Sequence, residues 1–205
     1  ENGWGSWICT MTQETYRQVR QGIPAERLGG LSNAMAIRHA AAHAYYDSED
    51  EVVEVARKSM FTHRDFHALG GGEFFARVTH RVINGEMPSH AVESAALDMD
   101  DFFQDKVAQA IAKVKEATDE NSALSQEKLA DDLAITSMAR LWDVGRSEPI
   151  KVGKASPTEG TLPGAVYFIL KYENEEDGLK KALQANTMVG GDNASRGIAI
   201  GMVLG

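Results

Sequence analysis

A carboxylate and a hydroxyl side chain lie three positions apart near residue 190, directly after two glycines. Asp192 and Ser195 follow Gly190-Gly191, and an apolar run rich in small residues continues from there. Glycine tolerates positive φ and lets main chain approach a ligand closely, and aspartate is a favoured helix N-cap. Carboxylate and hydroxyl oxygens suit Mg²⁺, which prefers oxygen ligands. Two interpretations stay open: Asp192 and Ser195 share a magnesium ion, or Asp192 only caps a helix.

A turn rich in glycine and serine near residue 30 is a second candidate site. It contains Gly30, Ser32 and Asn33, and a run of small residues leads from it to Arg38. Free N–H groups at a helix start bind anions, so these three residues are candidates for ligand contacts. The alternative is an ordinary N-cap formed by Ser32, with Arg38 in a structural ion pair.

The histidines and the single cysteine offer weaker signals. His39 and His43 are four residues apart, as are His63 and His67, a spacing that lets two imidazoles share zinc. Neither pair has the glutamate of a metalloprotease helix, and no cysteine cluster accompanies them, so the sequence does not favour zinc. Cys9 has no recognisable base partner, and the sequence does not favour nucleophilic catalysis by it.

Two acidic pairs and two loop lysines have simple interpretations. Asp100-Asp101 and Asp131-Asp132 are expected on solvated helix faces. Lys151 and Lys154 lie in a segment rich in glycine and proline, where they could meet an anion. We favour a solvated loop as the interpretation of the two lysines.

Several of these stretches resemble one family. Residues 190–205 are similar to the C-terminal signature of the ADP-ribosylglycohydrolase family, Gly-Gly-Asp-Thr-Asp-Thr/Ser followed by a helix of small residues. That family includes dinitrogenase-reductase-activating glycohydrolase and the J1 crystallins. Residues 29–38 resemble its Gly/Ser-rich turn, Thr62-His63 its Thr/Ser-His pair, and Gly70-Gly71-Gly72 a stretch of small residues beside its cleft. The resemblance covers residues 15–205.

The resemblance implies a fold, a reaction and a set of ligand contacts. The fold is a helical bundle with two magnesium ions in a central cleft, and the reaction is hydrolysis of an N- or O-glycosidic bond to ADP-ribose. For His63, the alternative is a structural histidine bonded to a neighbouring carbonyl. Asp192 and Ser195 would bind magnesium. The implied substrate contacts are Gly30, Ser32, Asn33, His63, Gly71, Gly190 and Gly191.

This sequence departs from the family pattern at two places. Ala194 stands where the signature has its second aspartate, and the upstream Thr/Ser-Asp-Asp motif has no counterpart, so we expect the N-terminal part to be lacking. Two functions stay open. One is a magnesium-dependent hydrolase acting on ADP-ribose linkages or ADP-ribosylated protein. The other is a non-catalytic structural or interaction subunit of a protein complex. A third option is a complementary chain that supplies the missing half of the metal site.

Hydrophobic periodicity predicts helices along almost the whole chain. Residues 1–205 are therefore expected to form one all-α multi-helix bundle without a substantial sheet. A capping-box spacing marks Ser48 and Glu51, and Gly70-Gly71-Gly72 interrupts the apolar pattern of the helix predicted over residues 66–84. An irregular loop is expected over residues 143–160. Pro88-Ser89 is expected to open the helix over residues 91–97. The predicted helices cover residues 12–19, 33–46, 48–60, 66–84, 91–97, 101–117, 124–142 and 166–170.

Composition excludes some classes of function. The 205 residues carry 30 acidic and 21 basic side chains, a net charge of −9, and no basic cluster suited to a nucleic-acid backbone. No apolar run approaches the length of a membrane span. A single cysteine gives no sign of an oxidising compartment, and no signal peptide is recognisable. We therefore expect an intracellular protein that binds no nucleic acid and does not span a membrane.

Overall fold

Helices form most of the chain in the computed structural model, which describes residues 8–32, 38–138, 141–142, 150–151 and 156–205. The all-α prediction is confirmed. Short 3₁₀ segments cover Ala25–Arg27 and Arg38–Ala44, and β1 (Leu141–Trp142) pairs antiparallel with β2 (Ile150–Lys151). The α-helices are α1 (Thr10–Arg20), α2 (Glu49–Ser59), α3 (Phe66–Ile83), α4 (Pro88–Leu97), α5 (Asp101–Thr118), α6 (Ala130–Ser137), α7 (Thr158–Tyr172), α8 (Gly178–Val189) and α9 (Asn193–Leu204).

Four helices have an N-cap side chain that accepts a hydrogen bond from the first turn. Ser48 Oγ accepts a hydrogen bond from the backbone N–H of Glu51 at 3.2 Å, as the capping-box spacing predicted. Asp65, Asp100 and Asp192 cap α3, α5 and α9 in the same way. Such caps satisfy N–H groups that have no partner within the helix. The Asp100 carboxylate therefore has a local structural role.

Helix α3 runs through Gly70-Gly71-Gly72, in agreement with the single helix predicted over residues 66–84. A Cβ added at Gly70 would lie 2.6 Å from Cε2 of Phe103 on α5. Glycine costs about 1 kcal/mol relative to alanine inside a helix. Here the close approach of a buried aromatic ring offsets that cost, since no larger residue leaves room for the ring.

Other boundaries also differ from the periodic pattern. Residues 124–142 were predicted as one helix, but among the residues of this range that the structure describes, only Ala130–Ser137 is α-helical. Residues 119–129 form turns, in which Ser125 Oγ donates to the carbonyl of Asp119 at 2.7 Å. Local hydrogen bonds of this kind compete with helix formation. The predicted helix over residues 33–46 is a 3₁₀ segment from Arg38, and residues 33–37 lie outside the described part.

Helices α1 and α7 start earlier than predicted. Helix α1 begins at Thr10, two residues before the predicted start. Helix α4, in contrast, opens at Pro88 as predicted, a position where proline suits a helix because its missing N–H would have no partner. Helix α7 begins at Thr158, so the end of the expected loop is helical, and it contains Pro163. The apolar run at residues 166–170 is helical, as predicted.

Helix α7 lies at the centre of the main apolar cluster. Its Leu162, Val166, Phe168 and Ile169 have no exposed surface. Helices α3, α5, α8 and α9 pack against it, and α3 also packs against α9. Helix α2 and the segment Arg38–Ala44 cover the other face of α3. Within the described ranges, no helix combines the length and the apolar character needed to cross a membrane.

Candidate functional site

The glycine turn near residue 30 lies directly against Thr62 and His63. A Cβ added at Gly30 would lie 3.0 Å from the carbonyl oxygen of Thr62 and 3.1 Å from Cα of His63. The carbonyl of Gly30 accepts a hydrogen bond from the N–H of Asp65 at 3.4 Å. The fold thus brings together two stretches that the sequence marked separately. Any residue larger than glycine at position 30 would crowd Thr62 and His63.

The imidazole of His63 is completely buried and bonded on both nitrogens. Its Nδ1 is 2.8 Å from Oγ1 of Thr62, and its Nε2 is 3.8 Å from Sγ of Cys9. The interpretation of His63 as bonded to a neighbouring carbonyl was therefore wrong. Burial, together with the positive charge of Arg38, lowers the pKa of His63 to about 4. The ring is neutral at pH 7, so one nitrogen donates a hydrogen bond and the other accepts one.

Cys9 therefore has a partner that sequence reasoning missed. It precedes α1 and lies 54 positions from His63 along the chain. Helix α1 is also fastened to this region by Thr15, whose Oγ1 donates to the carbonyl of Thr62 at 2.7 Å. No local pattern reveals such a pairing, because it depends on how α1 docks.

Ser32 joins the same region to the start of α7. It is 3% exposed and forms an isolated antiparallel bridge with Pro157. The N–H of Thr158 donates to the carbonyl of Leu31 at 3.2 Å. Asn33, the third predicted contact in this turn, lies outside the described residues. A small cavity of about 90 Å³ is lined by Leu31, Asp65, His67, Pro157, Thr158 and Glu159.

The second group of predicted site residues surrounds the start of α9. Gly190 and Gly191 have φ values of +74° and +68°, which L side chains rarely adopt. Oδ1 of Asp192 accepts hydrogen bonds from the N–H and Oγ of Ser195, at 3.3 and 2.8 Å. Asp192 thus caps α9, as predicted, and a cap does not exclude a second role. Magnesium at Asp192 and Ser195 stays a prediction.

A buried arginine in this turn is the main residue that sequence reasoning missed. Arg196 has no exposed surface, although arginine is almost never fully buried without a charged partner. Its Nε donates to Oδ1 of Asn186 at 2.8 Å, and its Nη2 donates to the carbonyl of Gly190 at 2.6 Å. Its Nη1 is buried without a hydrogen-bond partner. A cation next to Ser195, in an otherwise apolar helix, was the available sequence signal.

Gly164 on α7 leaves space for the side chain of Arg196, and Asn186 on α8 anchors the turn around it. A Cβ added at Gly164 of α7 would lie 2.9 Å from Cδ of Arg196. Nδ2 of Asn186 donates to the carbonyl of Asn193 at 2.8 Å, which ties α8 to the start of α9. Burial lowers the pKa of Arg196, and the negative charge of Asp192 opposes that shift. The guanidinium remains charged at neutral pH, because arginine is not deprotonated in proteins.

Helix α7 contacts both groups of predicted site residues, the glycine turn near residue 30 and the turn at the start of α9. Thr158 contacts the glycine turn and Gly164 contacts Arg196, and six residues of helix correspond to about 9 Å along the axis. Gly71, the remaining predicted contact, is buried in α3, which packs against both α7 and α9. Both groups of predicted residues therefore contact α7, near its start and one to two turns further along.

The remaining histidines have their own partners. Nδ1 of His39 is 3.2 Å from Nε2 of His43, and the ring of His43 stacks on that of His80. His67 stacks on Phe102, with ring centroids 3.9 Å apart. In the described part of the chain, no three side chains of the metal-binding types are grouped closely enough to hold an ion.

The acidic pair at Asp131-Asp132 was wrongly expected to be only a solvated face. The carboxylate of Asp131 accepts hydrogen bonds from Lys171 Nζ, Tyr167 Oη and Tyr172 Oη, at 2.6, 2.7 and 3.0 Å. Burial and the charge of Asp131 raise the pKa of Tyr167. This cluster fastens α6 to α7. For the predicted loop cations, only the backbone of Lys151 is described, in β2, and Lys154 lies outside the described residues.

These features define an all-helical domain in which a glycine-hinged carboxylate turn and a second glycine turn lie beside one central helix. The chain belongs to the ADP-ribosylglycohydrolase family, whose sequence model matches residues 1–205, the whole chain. The match includes the first fourteen residues, which the resemblance in motifs left out. No match was found among curated proteins.

Proposed function

We propose that this protein recognises the ADP-ribosyl group of an ADP-ribosylated substrate and hydrolyses its glycosidic bond. Membership of the family supports the reaction class. The observation that carries the choice of site is the contact between Gly30 and His63, in which the turn and the Thr62-His63 pair form one unit. Such a unit preorganises a ligand surface, because a turn held by buried hydrogen bonds loses little freedom on binding.

The residues of this unit have distinct roles in the proposal. The glycine turn presents main chain to the ribose and phosphate oxygens, which glycine allows because it carries no side chain. His63 packs against the turn at Gly30 as a neutral imidazole, and hydrogen bonds with Thr62 and Cys9 fix its position. Thr158, at the start of α7, holds the far end of the turn through the carbonyl of Leu31.

Two adjacent glycines provide a matched test of the site. In Gly30→Ala, the Cβ would lie 3.0–3.2 Å from Thr62 and His63, whereas in Gly29→Ala it meets nothing within 4 Å. Calorimetric titration with ADP-ribose should show weaker binding by about ten-fold or more for Gly30→Ala, and unchanged binding for Gly29→Ala. Thermal unfolding of both variants checks that they are folded. Absence of ADP-ribose binding to the wild-type protein at millimolar concentration would reject the proposal.

A non-catalytic binding protein is the second candidate, and Ala194 is the observation that favours it. The family signature has a carboxylate at this position, so one oxygen ligand is missing from the described turn. The two candidates differ in one assay, the release of free ADP-ribose from proteins modified through N- or O-glycosidic bonds. Release supports the hydrolase, and binding without release supports the second candidate.

A further inference from the structure

The turn at the start of α9 fits a magnesium ion poorly. Ala194 has no side-chain oxygen to offer as a ligand, and Oδ1 of Asp192, the one carboxylate of the turn, already accepts two hydrogen bonds from Ser195. A charged guanidinium occupies the same turn. Like charges repel each other, and a doubly charged ion is repelled more strongly than a singly charged one. A divalent cation would therefore meet both a reduced set of ligands and a resident positive charge.

The same turn holds a donor without a partner. Arg196 is fully buried, Nε and Nη2 are used by Asn186 and Gly190, and Nη1 has no partner. Buried polar groups are hydrogen-bonded in the great majority of cases, so an exception needs an explanation. The guanidinium is a planar donor suited to phosphate oxygens.

We propose that the guanidinium of Arg196 replaces a metal ion as the fixed positive charge of this site, and that its Nη1 binds an anionic oxygen of the ligand. The ligand class follows from the proposed function, on which this inference rests: a phosphate oxygen of an ADP-ribosyl group. Asp192 and Asn186 orient the turn that carries the arginine, and Gly164 provides the space for its side chain. Binding of the ligand to this site then requires no magnesium.

Wild-type protein alone provides two tests. Titration with magnesium chloride alone should give no saturable heat in the submillimolar range. Titration with ADP-ribose should give the same affinity in excess magnesium and in excess EDTA. Saturable magnesium binding that Asp192→Asn abolishes would overturn the inference, and so would a loss of ADP-ribose affinity of about ten-fold or more in EDTA.

Variants test the role of the guanidinium itself. Arg196→Gln should weaken ADP-ribose binding by about ten-fold or more, because a hydrogen bond to a charged group is lost, and Arg196→Lys should retain part of the affinity. Unchanged affinity in a folded Arg196→Gln protein would overturn the inference. If that variant does not fold, Gly164→Ala gives the same test, since its Cβ would displace the arginine side chain.

A reciprocal variant tests the exchange of charge for metal. Ala194→Asp combined with Arg196→Gln restores the second carboxylate and removes the guanidinium. This protein should bind magnesium where the wild type does not, and equal magnesium heats for the two proteins would contradict the inference. If wild-type protein binds no ADP-ribose under any condition, the proposed function fails. The magnesium titrations still show whether the fixed positive charge of this turn is the guanidinium of Arg196 or a bound metal ion.

Discussion

Acid should destabilise this protein partly through one buried histidine. The side chain of His63 has no exposed surface, and its pKa in the folded protein is about 4, whereas a histidine in an unfolded chain has a pKa of about 6.5. Because the folded pKa is the lower one, the unfolded state binds the proton first as the pH falls. The contribution of His63 to stability is therefore complete above about pH 6.5 and is lost as the pH falls to about 4.

The size of this contribution follows from the two pKa values. Proton linkage at a single site gives a loss of about 2 kcal/mol between pH 7 and pH 5, and about 3 kcal/mol once the folded state is also protonated. Typical domains have a free energy of unfolding of about 5–15 kcal/mol. One histidine thus accounts for a measurable part of the acid sensitivity. His43, whose pKa is also lowered, mainly by burial, acts in the same direction.

Urea unfolding at pH 7 and pH 5 tests this reasoning. His63→Gln removes the titrating group and keeps a polar side chain, so between the two pH values it should lose about 2 kcal/mol less than the wild type. The exposed His90 gives a matched control, and His90→Gln should follow the wild type. Parallel losses in wild type and His63→Gln would refute the argument, as would an NMR titration that places the pKa of His63 near 6.5.

Packing, capping and ion pairing give three more expectations for the free energy of unfolding, each measured by urea denaturation. Gly70→Ala should lower it by about 1–3 kcal/mol because the ring of Phe103 occupies the space, whereas Gly201→Ala, with open space around its Cβ, should raise it by up to about 1 kcal/mol. Ser48→Ala should cost about 1 kcal/mol through loss of the cap on α2. Asp131→Asn should cost about 1.5–3 kcal/mol, since one carboxylate serves a lysine and two tyrosines.

Each of these expectations has an outcome that contradicts it. Equal stabilities of Gly70→Ala and Gly201→Ala would mean that α3 and α5 separate easily. A Ser48→Ala protein as stable as wild type would show that water or another group satisfies the N–H of Glu51. For the carboxylate cluster, the exposed Asp105 provides the control, and Asp105→Asn should have a much smaller effect than Asp131→Asn.

Features that depend on residues close in sequence were predictable. The cap at Ser48 and the cap at Asp192 each use a side chain and an N–H only three residues away. The helical period of residues 101–117 matches α5 because one apolar face of that segment packs on the core. Local hydrogen bonds also explain one failure. Ser125 Oγ donates to the carbonyls of Asp119 and Ser122, Ser122 Oγ accepts from the N–H of Leu124, and turns replace the expected helix.

Contacts between distant residues were not predictable from patterns. The sequence marked Gly30 and His63 as separate candidates, but nothing in their spacing says that they touch. Cys9 was read as a thiol without a base, because its partner His63 is 54 residues away. In both cases, the docking of α1 and of the glycine turn onto the start of α3 determines the neighbours.

The sequence by itself determined the helical class of this protein, the positions of its caps and the glycine-hinged carboxylate at Asp192, because these depend on short-range periodicity and on single side chains. Only the tertiary structure decided what surrounds that carboxylate. Arg196 is visible in the sequence as one charge in an apolar helix, but its burial requires space at Gly164 on another helix and a hydrogen-bond acceptor, Asn186, on a third. Such space exists only once α7, α8 and α9 have packed together.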